Sequence, residues 1–460
     1  MKEEGFYLDK KMSKSNYIVL GFTLFALFFG AGNLIFPAEL GQYSGSNLLI
    51  AAIGFAITGV GLPLLGIMAI GFSNSNNLQA LAGRVHPVYG MLFTVMLYLT
   101  IGPFFAAPRT GAVAYEIGFA PFISESNLNL GLFIFTVIFF GLTLWLSLNP
   151  AKLVDRIGKI LAPALVILLG VLLITAFINP MSDIGEAQNT YVSAPFTTGF
   201  VEGYNTMDAL ASLVFGIIII NAVTAMGVKS RKGILLATGK SGFVAIVLLG
   251  IIYLGIAYLG ATSVGALGYF DTGGPVLSGA ASHYFGTTGM VLLAVLITLA
   301  CLTTSIGLMM ACGEYFNTLI PGVSYKVFVV LFTTLTFVIA NFGLEQIINY
   351  SLPVLMLLYP LAIAIIILAF TSPLFKHRRF VYIATIIVTF AVSLIDGIKT
   401  LCETLEMDYY NWLTPIMDFY ERYLPLYAEG LGWFVPFIIV LIVLTAYVHL
   451  FKSGSKDKLK

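Results

Sequence analysis

Three polar stretches interrupt an otherwise apolar sequence, and they hold the residues best suited to chemistry. The first is Phe28-Phe29-Gly30-Ala31-Gly32-Asn33-Leu34-Ile35-Phe36-Pro37, with two glycines and an asparagine in the middle of an apolar run. Glycine tolerates backbone conformations outside the helix, so this composition permits local unwinding. An unpaired backbone group in hydrocarbon costs several kcal/mol, so a break persists only where protein, water or ligand satisfies it. Freed carbonyls can hold a cation. The N–H groups that open the next half-helix, near Gly30, Ala31 and Gly32, sit at a positive dipole end suited to a carboxylate. The competing reading is close helix packing through small residues.

The second stretch is Gly199-Phe200-Val201-Glu202-Gly203-Tyr204-Asn205-Thr206-Met207-Asp208. Charged groups within a membrane are expensive and usually face a cavity or a partner. Glu202 fits a place near the outer surface, and Asp208 is the sharper candidate. Asp208 is open to three readings: neutralising a cation, receiving an amine, or holding an unwound loop together. The third stretch, Ala300-Cys301-Leu302-Thr303-Thr304-Ser305, sets three hydroxyls side by side. Their default is a hydrogen bond to their own helix. Combined with backbone carbonyls they also form a neutral oxygen cage, which suits a hard, singly charged ion, and sodium is the natural candidate. A proton would instead use a titratable side chain, which this stretch lacks. Arg109 and Glu116 lie seven residues apart on one helical face, near Pro103 and Pro108. An internal ion pair is expected there, with a gate that changes partner as the functional alternative. Glu39 is expected at the outer end of the first helix, as a further partner of that kind.

The elements that must carry these residues follow from composition. Hydrophobic residues make up 59% of the 460, and charged residues 10%, against about one-quarter charged in an ordinary soluble domain. Apolar runs of about 17 to 25 residues match the length of a membrane-crossing helix. Spans are predicted near 17–42, 47–71, 87–118, 130–148 and 153–178, then 199–227, 240–262, 288–316, 326–342 and 347–371, with two more near 380–396 and 431–451. The expected organisation is therefore a segment 1–16, a five-helix group 17–178, a second group 199–371, a helix pair 380–451 and a tail 452–460. Because each group holds an odd number of helices, the second enters the membrane from the opposite side. In such inverted repeats the first helix of each half is commonly broken near the midplane, where the binding site forms.

Orientation follows from Lys and Arg in short loops, which stay preferentially in the cytoplasm. Lys152, Arg156 and Lys159, then Lys229, Arg231 and Lys232, then Lys376, Arg378 and Arg379, and the tail lysines 452, 456, 458 and 460 all fall on one side. Glu125, Asp183, Glu186, Asp271, Glu403, Glu406 and Asp408 fall on the other, which puts both termini inside. Lys10, Lys11 and Lys14 ahead of an apolar run resemble a secretory signal, but the run continues through Gly30 to Pro37 and reads as a retained helix. Cys301, Cys312 and Cys402 give no disulfide framework, and a net charge of +1 gives no basic surface for nucleic acid. No phosphate-binding glycine loop, G-x-S-x-G elbow or H-E-x-x-H pair is present, so neither ATP hydrolysis nor metal-dependent catalysis has residue support. Isolated polar breaks in apolar helices also argue against the continuous polar pore of a channel. The aromatic run Tyr409, Tyr410, Trp412, Tyr420 and Tyr423 suggests an interfacial stretch within 397–430.

The motifs GAGNLIFP, VEGYNTMDALASLVFG and ACLTTSIG, in that order and spacing, with APRTGAVAYE in the third span, make the chain similar to the branched-chain amino acid:cation symporters, the BrnQ-like family. The likeness spans nearly the whole chain. It implies an all-α membrane protein of about twelve transmembrane helices, with a LeuT-type five-plus-five inverted repeat, two added helices, and helices 1 and 6 broken. The implied function is sodium-coupled import of L-leucine, L-isoleucine and L-valine across a bacterial cell membrane, with no organic cofactor, no enzyme activity and no obligate protein partner. By motif match, Ala26, Phe29, Ala300, Thr303 and Thr304 would hold Na+. Gly30, Ala31 and Gly32 would take the substrate carboxylate, with Asn33 as a possible second cation ligand. The substrate site would extend to Gly203, Tyr204, Asn205, Thr206 and Met207, with Tyr98, Tyr204 and Met207 as apolar lining. One methylene in such a lining is worth roughly 1 to 3 kcal/mol, so a shared transporter is expected. Asp208, Arg109 and Glu116 are the coupling or gating candidates, and proton coupling through Asp208 or Glu116, or another small neutral substrate, is the alternative.

Overall fold

A computed structural model describes residues 12–73, 75, 77–148, 153–228, 230–407 and 412–451. Lys10, Lys11, Lys152, Lys229, Asp408, Tyr409, Tyr410 and the tail lysines therefore lie outside the described residues. The described chain is helical, with no β-strand. It opens with α1 (Lys14–Phe28) and α2 (Gly32–Ser44), followed by α3 (Leu48–Ala56) and α4 (Leu62–Ser73), which a π-helical stretch Ile57–Gly61 joins. A short α5 (Leu78–Ala82) leads to α6 (Pro87–Leu99) and α7 (Ala106–Gly118), joined by a second π-helical stretch, Thr100–Phe104. Then come α8 (Leu128–Leu148), α9 (Leu153–Ile178), α10 (Pro195–Glu202) and α11 (Asp208–Ala225). The remainder is α12 (Arg231–Leu267), α13 (Gly274–Leu319), α14 (Tyr325–Ala340), α15 (Leu344–Thr371), α16 (Arg379–Thr404), α17 (Thr414–Tyr423) and α18 (Phe434–Phe451).

Local sequence explains many of these boundaries. Ser13, Asn77 and Ser230 accept the backbone N–H of the residue three positions on, each opening a helix as a side-chain cap. Pro87, Pro195 and Pro275 sit in the first turn, where a missing N–H costs nothing. Pro103 interrupts instead: beside it Gly102 leaves helical geometry at φ −84°, ψ −115°. Gly286, at φ +60°, likewise divides α13 into a short helix and a long one.

Seven helical stretches among the described residues are long and apolar enough to cross a membrane, from Gly32–Ser73 to Arg379–Thr404, and three shorter apolar helices accompany them. Large apolar side chains such as Leu49, Ile178 and Phe177 face outward, exposed by 67%, 76% and 72%. In water so much outward apolar surface would drive association; in lipid it is the expected exterior. The chain is an integral membrane protein. Within segment 397–430, which the sequence reading leaves without a fold, α16 continues to Thr404 and α17 forms an amphipathic helix with Phe419 and Tyr423 exposed.

The two interrupted stretches rest on each other's neighbours. Both α1 and α2 lie along α12, whereas α10 packs on α3 and α11 on α4. Glycines permit two of these crossings. A Cβ at Gly260 would collide with the Ala38 carbonyl and one at Gly41 with the Ala257 carbonyl, so α2 and α12 meet backbone to backbone. Gly54 and Gly199 play the same part for α3 and α10, against the carbonyls of Phe196 and Ala51.

One helix supplies both a test and its control. Gly260 is pressed against backbone that cannot give way, while Gly250, ten residues earlier in α12, has nothing within 4 Å of a built Cβ. Gly260→Ala should destabilise the detergent-purified protein by about 1 to 3 kcal/mol, and Gly250→Ala should be neutral or slightly stabilising. Thermal unfolding of the pair checks this, and equal midpoints would contradict the close crossing.

Candidate functional site

The site grows from two interruptions in helical structure. At the first, α1 stops at Phe28, Phe29 is extended at φ −71°, ψ 92°, and α2 restarts at Gly32. The Gly30 N–H, left without a helical acceptor, donates to Asn33 Oδ1 at 3.3 Å, so Asn33 satisfies the break from inside the new half-helix. Thr304 of α13 closes the other side, for a Cβ built on Gly30 would sit 3.3 Å from its Cγ2. The hydroxyl-bearing stretch and the first break are therefore in contact.

At the second interruption, α10 ends at Glu202, a 3-10 turn covers Gly203–Thr206, and α11 begins at Asp208. Between them Met207 is left-handed at φ +60°, ψ +9°, a conformation worth roughly 1 to 2 kcal/mol of strain for a residue with a Cβ. Thr206 holds the turn: its hydroxyl donates to the Gly203 carbonyl at 2.8 Å and accepts the Asp208 N–H at 3.3 Å.

Buried hydrogen bonds tie the two breaks together. Asn33 Nδ2 donates to Asp208 Oδ2 at 2.5 Å and also to the Tyr253 hydroxyl of α12, which in turn donates to Asp208 Oδ2 at 2.9 Å. The three residues are 1%, 4% and 3% exposed. A carboxylate so deeply placed needs such donors in place of water. Tyr253 carries no local signal in sequence, as it is one aromatic residue in a long apolar helix.

Arg109 differs from its sequence reading. The expected ion pair with Glu116 is absent: Arg109 donates through Nη1 to the Asn205 carbonyl at 2.5 Å and through Nη2 to the Ser351 hydroxyl at 3.1 Å. Glu116 instead accepts from the Thr272 hydroxyl. Seven residues of helix separate the two α-carbons by roughly 10 Å along the axis, and each side chain finds a nearer partner on another element. Glu39 is within electrostatic reach of Glu202, Glu116 and Arg109. Glu202 is half-buried and accepts from Asn205 Nδ2 at 2.9 Å.

A cavity of about 40 Å³ lies where the breaks meet, enough for water, which needs roughly 10 to 15 Å³. Gly30, Ala31, Gly32, Asn33, Thr206, Met207, Asp208, Arg109 and Thr304 line it, all singled out in the sequence. Ile101, Ala106, Ala211, Phe215 and Leu308 add apolar wall that sequence reasoning missed. The helix interruption at Pro103 was the available signal for Ile101 and Ala106. Tyr98 and Tyr204, expected as lining, stand off the cavity. Tyr98 stacks on Tyr315 and Tyr204 on Tyr359, each at 4.2 Å, aromatic pairings that outbid an open wall. Gly203 and Asn205 belong to the turn behind Thr206. Ala26, Phe29, Ala300 and Thr303 are likewise outside the lining. Phe29 stacks on Phe25 at 4.9 Å, while Thr303 and Thr304 donate to the Ala300 carbonyl at 2.8 and 3.2 Å, the ordinary bond of a helical threonine. A larger recess of about 350 Å³ between α9 and α13 is walled by residues such as Leu168 and Phe285 and carries no charged group.

Comparison with known proteins agrees with this architecture. The sequence pattern of the family described as branched-chain amino acid transport protein matches residues 13–451. The branched-chain amino acid permease BraB of Bacillus subtilis (strain 168) is 48% identical, covering 96% of this chain and 97% of its own. The permease BrnQ of the same organism is 46% identical over 94% of this chain and 96% of its own. A Pseudomonas aeruginosa branched-chain amino acid transport system 2 carrier protein is 41% identical, with 93% and 94% covered. Two solved structures share the fold at 16% identity. MhsT in complex with L-phenylalanine has a TM-score of 0.55, over 96% of this chain and 99% of its own, and inward-facing Mhp1 has 0.59, over 93% and 90%. The chain is thus a transport protein and not an enzyme, and it belongs to the branched-chain amino acid transport protein family.

Proposed function

We propose that the protein imports L-leucine, L-isoleucine and L-valine across a bacterial plasma membrane by sodium-coupled symport with alternating access. The observation that carries this reading is the meeting of two backbone interruptions at one cavity, with Asp208 and the Gly30–Asn33 segment on its wall. Irregular backbone at membrane depth is tolerated where it lines a cavity, and in secondary transporters that is where substrate and ion bind. The names of the relatives supply the substrate class.

The reading takes α1–α2 and α10–α11 as the broken first helices of two inverted five-helix repeats, 17–178 and 199–371, in a bundle of twelve spans. The exchange of supports, with α1 and α2 on α12 and α10 and α11 on α3 and α4, is what a pseudo-two-fold relation requires. The pair 380–451 completes the bundle, and both termini are cytoplasmic. Substrate binds at Gly30, Ala31, Gly32 and Asn33 with Thr206 and Met207, while Gly203, Tyr204 and Asn205 hold the second turn. Tyr98 takes part only if its stack on Tyr315 opens. A branched-chain amino acid needs far more room than 40 Å³, so Met207, Phe215 and Leu308 must part on loading.

Sodium is assigned to the carbonyls of Ala26, Phe29 and Ala300 with the hydroxyls of Thr303 and Thr304. A hydroxyl that donates to a carbonyl keeps its lone pairs for a cation, and Thr304 already touches the first break. The closeness of Asp208 to Asn33 and Tyr253 favours one other reading, in which a proton on that carboxylate is the coupled ion. In that reading Glu116 and Glu39 are gating groups, and Arg109 gates from the cavity wall itself.

Two measurements separate these readings. In vesicles containing the purified protein, an imposed sodium gradient should accumulate labelled leucine, with isoleucine and valine competing. Accumulation driven by protons alone would move coupling to Asp208. Thr303→Ala combined with Thr304→Ala should raise the sodium concentration for half-activation at least about tenfold, the loss of some 1.4 kcal/mol of ion binding. Unchanged activation would remove the ion from that site.

A further inference from the structure

Of the residues lining the cavity, Arg109 and Asp208 are the ionisable ones, a base and an acid. Arg109 is 2% exposed, and all its contacts are neutral: the Asn205 carbonyl, the Ser351 hydroxyl and the Phe36 ring, 4.9 Å from its carbon centre. Among the described residues no carboxylate forms an ion pair with it, and its Nε is buried with no hydrogen-bond partner. Glu39 acts on it only through space, and a cation without an ion pair inside a membrane protein is expensive to keep. A guanidinium also has the planar fork that matches both oxygens of a carboxylate.

We propose that Arg109 is the charged partner of the substrate carboxylate, so that an α-amino acid zwitterion lies between Arg109 and Asp208. This rests on the reading that the cavity is the substrate site, and it adds a specificity residue to the backbone of Gly30–Gly32. The apolar wall of Ile101, Ala106, Phe215 and Leu308 is left to the side chain. Arg109 also holds the Asn205 carbonyl of the second turn. A carboxylate arriving at the guanidinium is therefore sensed where α10 ends.

The test compares ligands that differ only at the carboxylate. Competition against labelled leucine in proteoliposomes of the full chain uses leucine and leucinamide, for the wild type, Arg109→Gln and Arg109→Lys. In the wild type leucinamide should compete about 100-fold more weakly than leucine, and Arg109→Gln should lose leucine affinity by about 100-fold while changing leucinamide less than about threefold. Arg109→Lys should fall between. A leucine-to-leucinamide ratio that is the same in wild type and variants would assign Arg109 a structural role and overturn the proposal. If neither variant folds, equal competition by the two ligands in the wild type overturns it alone. Absence of saturable leucine uptake in the wild type would instead sink the underlying substrate reading.

Discussion

The structure depends on the cost of leaving polar groups unpaired in a medium without water. Helices solve the problem for most of the chain, but the interruptions at Phe29–Ala31 and Gly203–Met207 release backbone groups that the helix no longer satisfies. The chain answers with side chains from elsewhere. Asn33 takes the Gly30 N–H, Thr206 takes the Asp208 N–H, and Arg109 takes the Asn205 carbonyl. These same groups face the cavity, so the devices that make the breaks tolerable also give the site its chemistry.

That economy explains how the site is positioned. Asn33, Asp208 and Tyr253 belong to α2, α11 and α12, and their hydrogen bonds fix the two breaks against each other. Behind them the glycine crossings bring α2 onto α12 and α3 onto α10 at backbone distance. A shift of either half-helix cannot be absorbed locally, because carbonyls already fill the space. Motion is therefore expected in units of whole elements, which is how rocking transporters move around a fixed site.

Much of this was legible in sequence, because the signals were compositional. Glycines and asparagine in an apolar run, and a polar stretch ahead of a clean helix, mark places where a membrane helix has to be interrupted. The resemblance to branched-chain amino acid:cation symporters was likewise carried by contiguous motifs, and the family match bears it out. Long-range pairing was not legible. Arg109 was matched with Glu116 because both sit on one face of one helix, whereas its partners Asn205 and Ser351 come from elements roughly a hundred or more residues away. Tyr253 and Leu308 joined the site with no local mark. Tyr98 and Tyr204 look like pocket residues in sequence, but each had an aromatic partner that only the fold discloses.

The central claim is that substrate sits where the two breaks meet. An experimental structure of the purified protein with leucine and sodium would test it most directly. The account predicts leucine density between Gly30–Asn33 and Thr206–Asp208, with the apolar walls of Met207, Phe215 and Leu308 moved apart. Leucine found instead in the uncharged recess between α9 and α13, with the breaks still closed on each other, would contradict it.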